Sequence, residues 1–336
     1  MLHPLMLVGA TAPATAFQSF HVQSDAIVIE QRIKTTSPFD DVVLSLTARA
    51  KDQSLVRLEV RAIASGRATK FYSLGEWSEW EPLRRSIDSQ GDADGTVYTD
   101  TLVLKQPATE FEIRITRQPG TNGELPIVEG FDVSFVNSKS RRPAGKPRIS
   151  AWDRLIPVVK RNQGDYENGG VLCSPTTLSM LISYWSEEAF APRWFKDVPE
   201  VQAGVYDQVW KGTGNWTFNA AYAASLGLRS YVTRLNNLSE LEAWIEAGFP
   251  VGCSVSYGFL KGLGQREDND GHLVALVGFT PSGDAIINDP GRRAQERHII
   301  PRRDFDDAWN TSGRAVYLVY PHGSKVPRVR GAAWDQ

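Results

Sequence analysis

Gly169-Gly170-Val171-Leu172-Cys173-Ser174-Pro175-Thr176-Thr177 runs directly into Leu178 through Trp185. It reads as a loop that ends on a cysteine and opens into a helix. Ser174 is a preferred N-cap type, and Pro175 then falls at the first helical position, where a missing N–H costs nothing. Leu178, Leu181, Ile182 and Trp185 recur at helical spacing, which predicts one apolar, buried face. The thiol of Cys173 therefore sits at a helix N-terminus, where unpaired N–H groups and the positive end of the dipole favour an anion. That environment lowers a cysteine pKa and makes a reactive thiolate. The competing reading is a small buried hydrophobe, the commoner fate of a free cysteine.

A cysteine nucleophile needs a base in reach, and the base needs an acceptor to orient it. Of the five histidines, His272 has the fitting surroundings. It follows Gly271 and opens Leu273-Val274-Ala275-Leu276-Val277-Gly278-Phe279, a short apolar run that reads as a buried strand. Pro281-Ser282-Gly283-Asp284 is a turn cluster, and Ala285-Ile286-Ile287-Asn288-Asp289 returns as a strand stopped by Pro290. In such a hairpin the start of the first strand lies near the end of the second. His272 and Asp289 are thus expected at one end of the sheet, in a register that the ambiguous turn length leaves open. Taken singly, His272 reads as a strand-edge histidine and Asp289 as a turn former. Their joint occurrence downstream of a helix-starting cysteine is what points to a site.

Together, Gly-Gly-Val-Leu-Cys173-Ser-Pro-Thr-Thr-Leu-Ser-Met, Gly-His272 and Ile-Asn-Asp289-Pro resemble the papain-like cysteine peptidases related to bacteriocin-processing peptidases. The likeness is to the bacterial branch with Cys-Ser-Pro-Thr where others carry Cys-Gly-Pro, and it covers roughly Arg154 to Tyr320. It implies an open papain-like α+β domain with a Cys173-His272-Asp289 triad and an EC 3.4.22-like hydrolase acting through a thioester acyl-enzyme. The family also uses an upstream glutamine as oxyanion donor. Here that implies Gln163, in Arg161-Asn162-Gln163-Gly164, with Asn162 and Asn168 as competitors. The chemistry asks for an amide N–H₂ beside the Cys173 backbone N–H.

At 336 residues with 41% hydrophobic content, the chain is globular and long enough for two cores. A formal charge of −2 gives no reason to expect nucleic acid binding. No apolar run approaches the ~20 residues of a membrane span. Two cysteines, Cys173 and Cys253, make no disulfide framework, and Cys253 in Pro250–Tyr257 reads as a core-strand residue. Residues 1–16 read as a leader or disordered segment. Ala14-Thr15-Ala16 resembles a signal cleavage site, but no Lys or Arg precedes a short, proline-broken apolar core. The leaning is toward a secreted or cell-envelope protein.

Residues 17–137 show period-two patterning. Strands are expected at Val42–Ala48, Leu55–Ala62, Thr96–Leu104, Glu110–Thr116 and Val128–Val136, forming an antiparallel β-sandwich, jelly-roll-like. Trp77 and Trp80 between them either stack on sugar rings or pack the core, and core packing is the commoner role. Residues 138–150 are basic and proline-bearing and read as a solvated interdomain linker. Residues 151–322 form the α+β peptidase domain, with helices at Trp216–Ser225 and, after a Ser239–Glu242 capping box, around Leu241–Ile245. Residues 323–336 are a tail. The expected partner is a peptide or other amide substrate, with carbohydrate or envelope contact through the sandwich. No cofactor is expected. Asp268-Asn269-Asp270-Gly271 is oxygen-rich but lacks the ligand count of a calcium loop, so no metal is expected either. The alternative function is a non-catalytic envelope or carbohydrate-binding protein with a vestigial triad.

Overall fold

The computed structural model describes residues 14–64, 66–266, 270–292 and 297–334. The fold is α+β, with antiparallel sheets in an N-terminal domain and in the domain that follows.

The period-two pattern of the first part becomes eight strands: β1 (Thr15–His21), β2 (Val28–Arg49), β3 (Leu55–Ala64), β4 (Arg67–Ala68), β5 (Tyr72–Trp77), β6 (Gly95–Tyr98), β7 (Thr101–Gln118) and β8 (Ile127–Val136). Along β3, Val56, Leu58, Val60 and Ala62 are buried. The alternate residues Arg57 and Arg61 reach Glu76 (2.8 Å) and Glu112 (2.6 Å), which is the alternation a half-buried strand demands.

Three features differ from the sequence expectation. All eight strands join one hydrogen-bonded network, in the order β1-β8-β2-β7-β3-β4 with β5 on β3 and β6 on β7. The long strands β2 and β7 run unbroken through it, shifting register between Lys34 and Phe39, where Pro38 cannot donate to the ladder. Thr96–Leu104 is not one strand but a hairpin turning at Thr99–Asp100, with Thr99 at φ 59°. The tail end of the expected leader is structured: Thr15 and Ala16 pair with Val136 and Phe135 as the start of β1. Residues 1–13 lie outside the described residues.

The second part contains β9 (Arg154–Leu155), α1 (Cys173–Glu188), α2 (Val198–Val205), α3 (Trp216–Ser225), β10 (Leu228–Arg234), α4 (Leu238–Glu246), β11 (Val251–Ser256), α5 (Tyr257–Leu260), β12 (Gly271–Phe279), β13 (Ala285–Asn288), β14 (Arg297–Ile300), α6 (Arg302–Asn310) and β15 (Ala315–Pro321). Its sheet runs β10-β15-β11-β12-β13-β14, with β9 on β12. β15 arrives last in the chain but sits inside the sheet, a placement no local pattern signals. The cap of α4 is Asn237, whose side chain accepts from the Glu240 N–H, rather than Ser239. Among the described residues, no helix is long and apolar enough to cross a membrane.

Helix α3 joins the two parts. Phe218 and Ala221 pack into the N-terminal core, while Ala220 and Ala223 pack into the second. Gly75 makes room for this insertion: at φ +127° it adopts a conformation that L side chains rarely take, and a Cβ there would lie 2.9 Å from the Phe218 ring. Thr217 donates to the Leu44 carbonyl (2.8 Å), Val232 N–H to Ser45 (2.9 Å) and Arg84 to the Ala203 carbonyl (2.8 Å). Most of the basic segment 138–150 is exposed, and it is tied down at a few points. Ser138 N–H donates to Asp40 (2.7 Å), Arg142 to the Leu235 carbonyl (2.8 Å) and Arg148 N–H to Glu242 (2.7 Å). The first of these ties reaches the N-terminal domain and the other two reach the second part. Within residues 323–336, Trp334 is buried against Trp244 with ring centroids 5.5 Å apart.

Candidate active site

Helix α1 begins at Cys173 itself, with Leu172 as its cap and the Thr176 N–H donating to the Leu172 carbonyl (3.0 Å). The cap therefore lies two residues earlier than Ser174, and Pro175 falls third in the helix. The start can shift without penalty, because a proline anywhere in the first turn replaces an N–H that has no intrahelical partner.

The helix is buried from Ser174 to Ser186, not on one face alone. Hydroxyls on its second face make this tolerable: Thr177 donates to the Leu273 carbonyl (2.9 Å), Ser179 to Thr176 O (2.9 Å) and Ser186 to Ala191 O (3.0 Å). The Thr177 bond ties the helix start to the residue after His272.

His272 is the second residue of β12, directly opposite Val255 of β11. On the other side, Ala275 pairs with Asn288 of β13. Extending that register one step sets Asp289 opposite Val274, on the face that His272 shares and diagonal to it, which is within reach of long side chains. The imidazole Nε2 lies 2.8 Å from Asp289 Oδ1, and that oxygen also accepts the Gly291 N–H (2.8 Å). Arg292 Nε stands 3.5 Å from the other carboxylate oxygen. His272 is 7% exposed and Asp289 is fully buried. Asn288 points the opposite way, donating to the carbonyls of Val158 and Val159 (both 3.2 Å) and accepting from Arg297 (2.9 Å). Strand alternation makes this division obligatory.

The imidazole and the Cys173 thiol act on each other's titration. Burial pushes the thiol up, but the hydrogen bond and charge of His272, with backbone groups of Leu273 and Ser174, outweigh it. The thiol ends below the usual cysteine value. Burial likewise works against imidazolium, yet the Asp289 and Cys173 partners raise His272 to about 9. Burial would push the Asp289 carboxyl up, but its bonds to His272 and Gly291 hold it below the usual range. Each group keeps its charge because the others are charged, so the arrangement favours a thiolate–imidazolium pair over the neutral couple. Both cysteines are free, and Cys253 is buried in β11 with burial pushing its thiol far up.

The cleft in front of this pair holds ≈ 710 Å³ and is lined by Gln163, Cys173, His272 and Gly291 among others. Gln163 begins the short 3₁₀ turn Gln163–Asp165, its N–H donating to the Pro290 carbonyl (2.9 Å). This ties it to the segment carrying Asp289. Its Oε1 is buried without a hydrogen-bond partner. Of its two competitors, Asn162 accepts the Gly164 N–H (2.8 Å) through its side-chain oxygen while its Nδ2 is buried without a hydrogen-bond partner, and Asn168 is exposed in a left-handed turn; neither lines the cleft.

Two neighbours had no distinct signal in the sequence. Tyr257 stacks obliquely on His272 with ring centroids 4.5 Å apart. A Cβ on Gly291 would lie 3.1 Å from His272 Cε1 and 3.3 Å from both Asp289 Oδ1 and the Tyr257 hydroxyl. Gly291→Ala is expected to lower the alkylation rate of Cys173 by about tenfold to a hundredfold while the protein stays folded, since small displacements of reacting groups cost that much. An unchanged rate means the pair tolerates the added methyl and the crowding is not functional.

Of the oxygen-rich run, Asp268 and Asn269 lie outside the described residues. Asp270 accepts from Gly258 N–H (2.6 Å) and faces Arg266. Trp77 is fully buried against Phe218 and Trp80 is off the strand, so the two do not form a shared platform for a sugar.

Residues 155–317 match a family model described as Peptidase_C39 like family, and residues 21–133 match one described as Peptidase C39 N-terminal domain. These matches support a C39-type cysteine peptidase family. No curated protein matches the chain. Among solved structures, the infectious bursal disease virus Gt strain is similar at 11% identity and a TM-score of 0.18, over 37% of this chain and 31% of that one. PirA is similar at 12% identity and a TM-score of 0.17, over 39% of this chain and 99% of that one. At such scores neither likeness carries any argument about this chain.

Proposed function

We propose that the chain is a cysteine peptidase or related amide hydrolase of the Cys-Ser-Pro-Thr type, working through Cys173, His272 and Asp289. The single observation that carries this reading is the half-buried thiol at the start of α1 electrostatically coupled to His272, whose Nε2 meets the buried Asp289 carboxylate at 2.8 Å.

In this reading the Cys173 thiolate attacks the carbonyl carbon of a scissile amide. The oxygen takes up the electron pair beside the Cys173 N–H and the Gln163 side chain. As the C–N bond breaks, His272 gives its proton to the leaving amine, and an acyl thioester remains. Water then attacks the thioester, His272 accepts its proton, and the carboxylic acid leaves as the thiolate–imidazolium pair is restored. Asp289 keeps the imidazole in one tautomer and steadies its positive charge throughout.

Alkylation of the full chain with iodoacetamide across pH tests the reading without any knowledge of substrate. The folded thiol titrates below its unfolded value, so thiolate persists as pH falls; His272 titrates above its own, so imidazolium persists as pH rises, up to about 9. Cys173 should react readily near about pH 6, where an ordinary thiol of pKa ~8.5 is almost wholly protonated. Hydrolysis of any substrate found should fall as pH rises through about 9, where the imidazolium is lost. An alkylation rate that rises only near the ordinary thiol value, unaffected by His272→Ala, overturns the reading and leaves the vestigial-triad alternative.

A further inference from the structure

Beside the cleft, and continuous with it, lies a broader depression of ≈ 990 Å³. Trp210, Trp216, Arg266 and Ser312 line both. Its other walls include the β6–β7 turn at Tyr98–Asp100, Asp41 of β2, the segment Ser138–Arg142 that follows β8, Arg234 at the end of β10, and Arg314 just before β15. The depression is therefore incomplete without the N-terminal domain. Asp100 fastens the two sides together by accepting the Trp216 N–H at the first residue of α3.

The lining is strongly cationic. Arg141, Arg142, Arg234, Arg266 and Arg314 face two carboxylates, Asp41 and Asp100. Asp41 is committed to Arg234 (2.5 Å), and Asp100 is buried, with burial raising its carboxyl to about 6. Arg314 and Arg266 are paired as well, with Asp306 (3.1 Å) and Asp270 (3.4 Å) behind the lining, which leaves Arg141 and Arg142 as the lining guanidinium groups outside any ion pair among the described residues. Arg141 is exposed and has no hydrogen-bond or ion-pair partner among the described residues. Arg234 is only 5% exposed, yet its Nε has no hydrogen-bond partner. Burial together with the like charges of Arg314 and Arg234 depresses the Arg142 guanidinium to about 10, so these cations lie close enough to repel one another. Like charges gathered around a cavity, one of them buried with an unsatisfied donor, are arranged for an incoming anion.

We infer that this depression is a specificity subsite of the peptidase and that it takes an acidic peptide segment, the Asp and Glu side chains flanking the scissile amide held at Cys173. The inference rests on the peptidase reading for the position of the scissile bond. A peptide fits better than a nucleic acid because the depression opens into the Cys173 cleft and the chain as a whole is slightly acidic.

The test uses the full chain as Cys173→Ala, so that binding is measured without turnover. Fluorescein-labelled peptides differ only in Glu or Gln at positions on one side or the other of a central Gly-Ala, and binding is followed by anisotropy at several salt concentrations. One glutamate peptide should bind about tenfold or more tightly than its glutamine counterpart, and added salt should erode the difference. Arg141→Glu combined with Arg266→Glu, both at exposed positions, should abolish the preference. Arg303→Glu, the same charge change at an exposed site outside the depression, should leave it intact. Equal affinities for the glutamate and glutamine peptides, no detectable binding of either glutamate peptide, or a preference that survives the double substitution overturns the inference. So does a single-stranded DNA oligonucleotide that competes as well as the glutamate peptide. Iodoacetamide labelling of wild-type Cys173 judges the peptidase reading separately, so the two can fail independently.

Discussion

Cys173→Ala and His272→Ala will each abolish hydrolysis of any amide substrate found for this protein, lowering turnover by about four to six orders of magnitude, and the double variant will be no worse than either single one. Residues that act as one unit lose nearly everything at the first deletion, because the remaining partner has no chemistry to perform alone. The thiol supplies the nucleophile only while His272 is charged beside it, and His272 has a proton to deliver only while the thiolate holds it. Cys253→Ala is the internal comparison. That thiol is buried in β11, and its removal should leave turnover per folded molecule unchanged. Steady-state rates on a peptide reporter, with circular dichroism to verify folding, decide the matter. Retained hydrolysis in Cys173→Ala removes the mechanism outright.

The second large effect separates two pairs of adjacent residues. Asp289→Ala should lower turnover by about a hundredfold or more, and Gln163→Ala by a similar factor, as loss of an oriented base or of one oxyanion donor typically does. Asn288→Ala and Asn162→Ala should cost stability instead, about 1–3 kcal/mol where buried partners lose their bonds, with little change in rate per folded molecule. The basis is geometric. Asp289 Oδ1 meets His272 at 2.8 Å, whereas Asn288 is occupied by Val158, Val159 and Arg297 on the far face. Asp289→Ala should also move the alkaline limb of the rate profile to lower pH, because the carboxylate is the leading partner raising His272. Asparagine variants that lose turnover, with Asp289→Ala and Gln163→Ala unaffected, would sink the assignment. A modest fall in Asp289→Ala alone would weaken it, since the Cys173–His272 pair itself survives.

Much of the site was legible because its parts are local. A cysteine next to Ser-Pro-Thr and an apolar helical run announces a helix start, and that conclusion survives an error of two residues in the cap. Gly-His before a β-branched run and Asn-Asp-Pro after another announce the two ends of a hairpin. The misreadings arose where several local structures satisfy the same pattern. Thr96–Leu104 carries an unbroken period-two signal, yet Thr99 adopts a left-handed turn inside it. Helix α1 carries one apolar face in its sequence, but its serines and threonines are buried too, with Thr177, Ser179 and Ser186 bonding to carbonyls. The basic segment 138–150 has the composition of a tether and is mostly exposed, and only its neighbours make Ser138, Ser140, Arg141 and Arg142 line a depression.

Local chemistry and periodicity, then, pointed to the candidate residues and to where each sits: Cys173 at a helix start, His272 on a strand and Asp289 just past the end of the strand paired with it. Tertiary structure alone decided the register that sets Asp289 rather than Asn288 against the imidazole. It also decided the insertion of β15 inside the second sheet, the burial of Phe218 in the other domain's core, and the gathering of Arg141, Arg142, Arg234, Arg266 and Arg314 around one depression. The physical reason is that propensity and patterning act over a few residues. Register, sheet order and charge clustering are settled by which distant surfaces exclude water together, and a linear pattern holds no record of that choice.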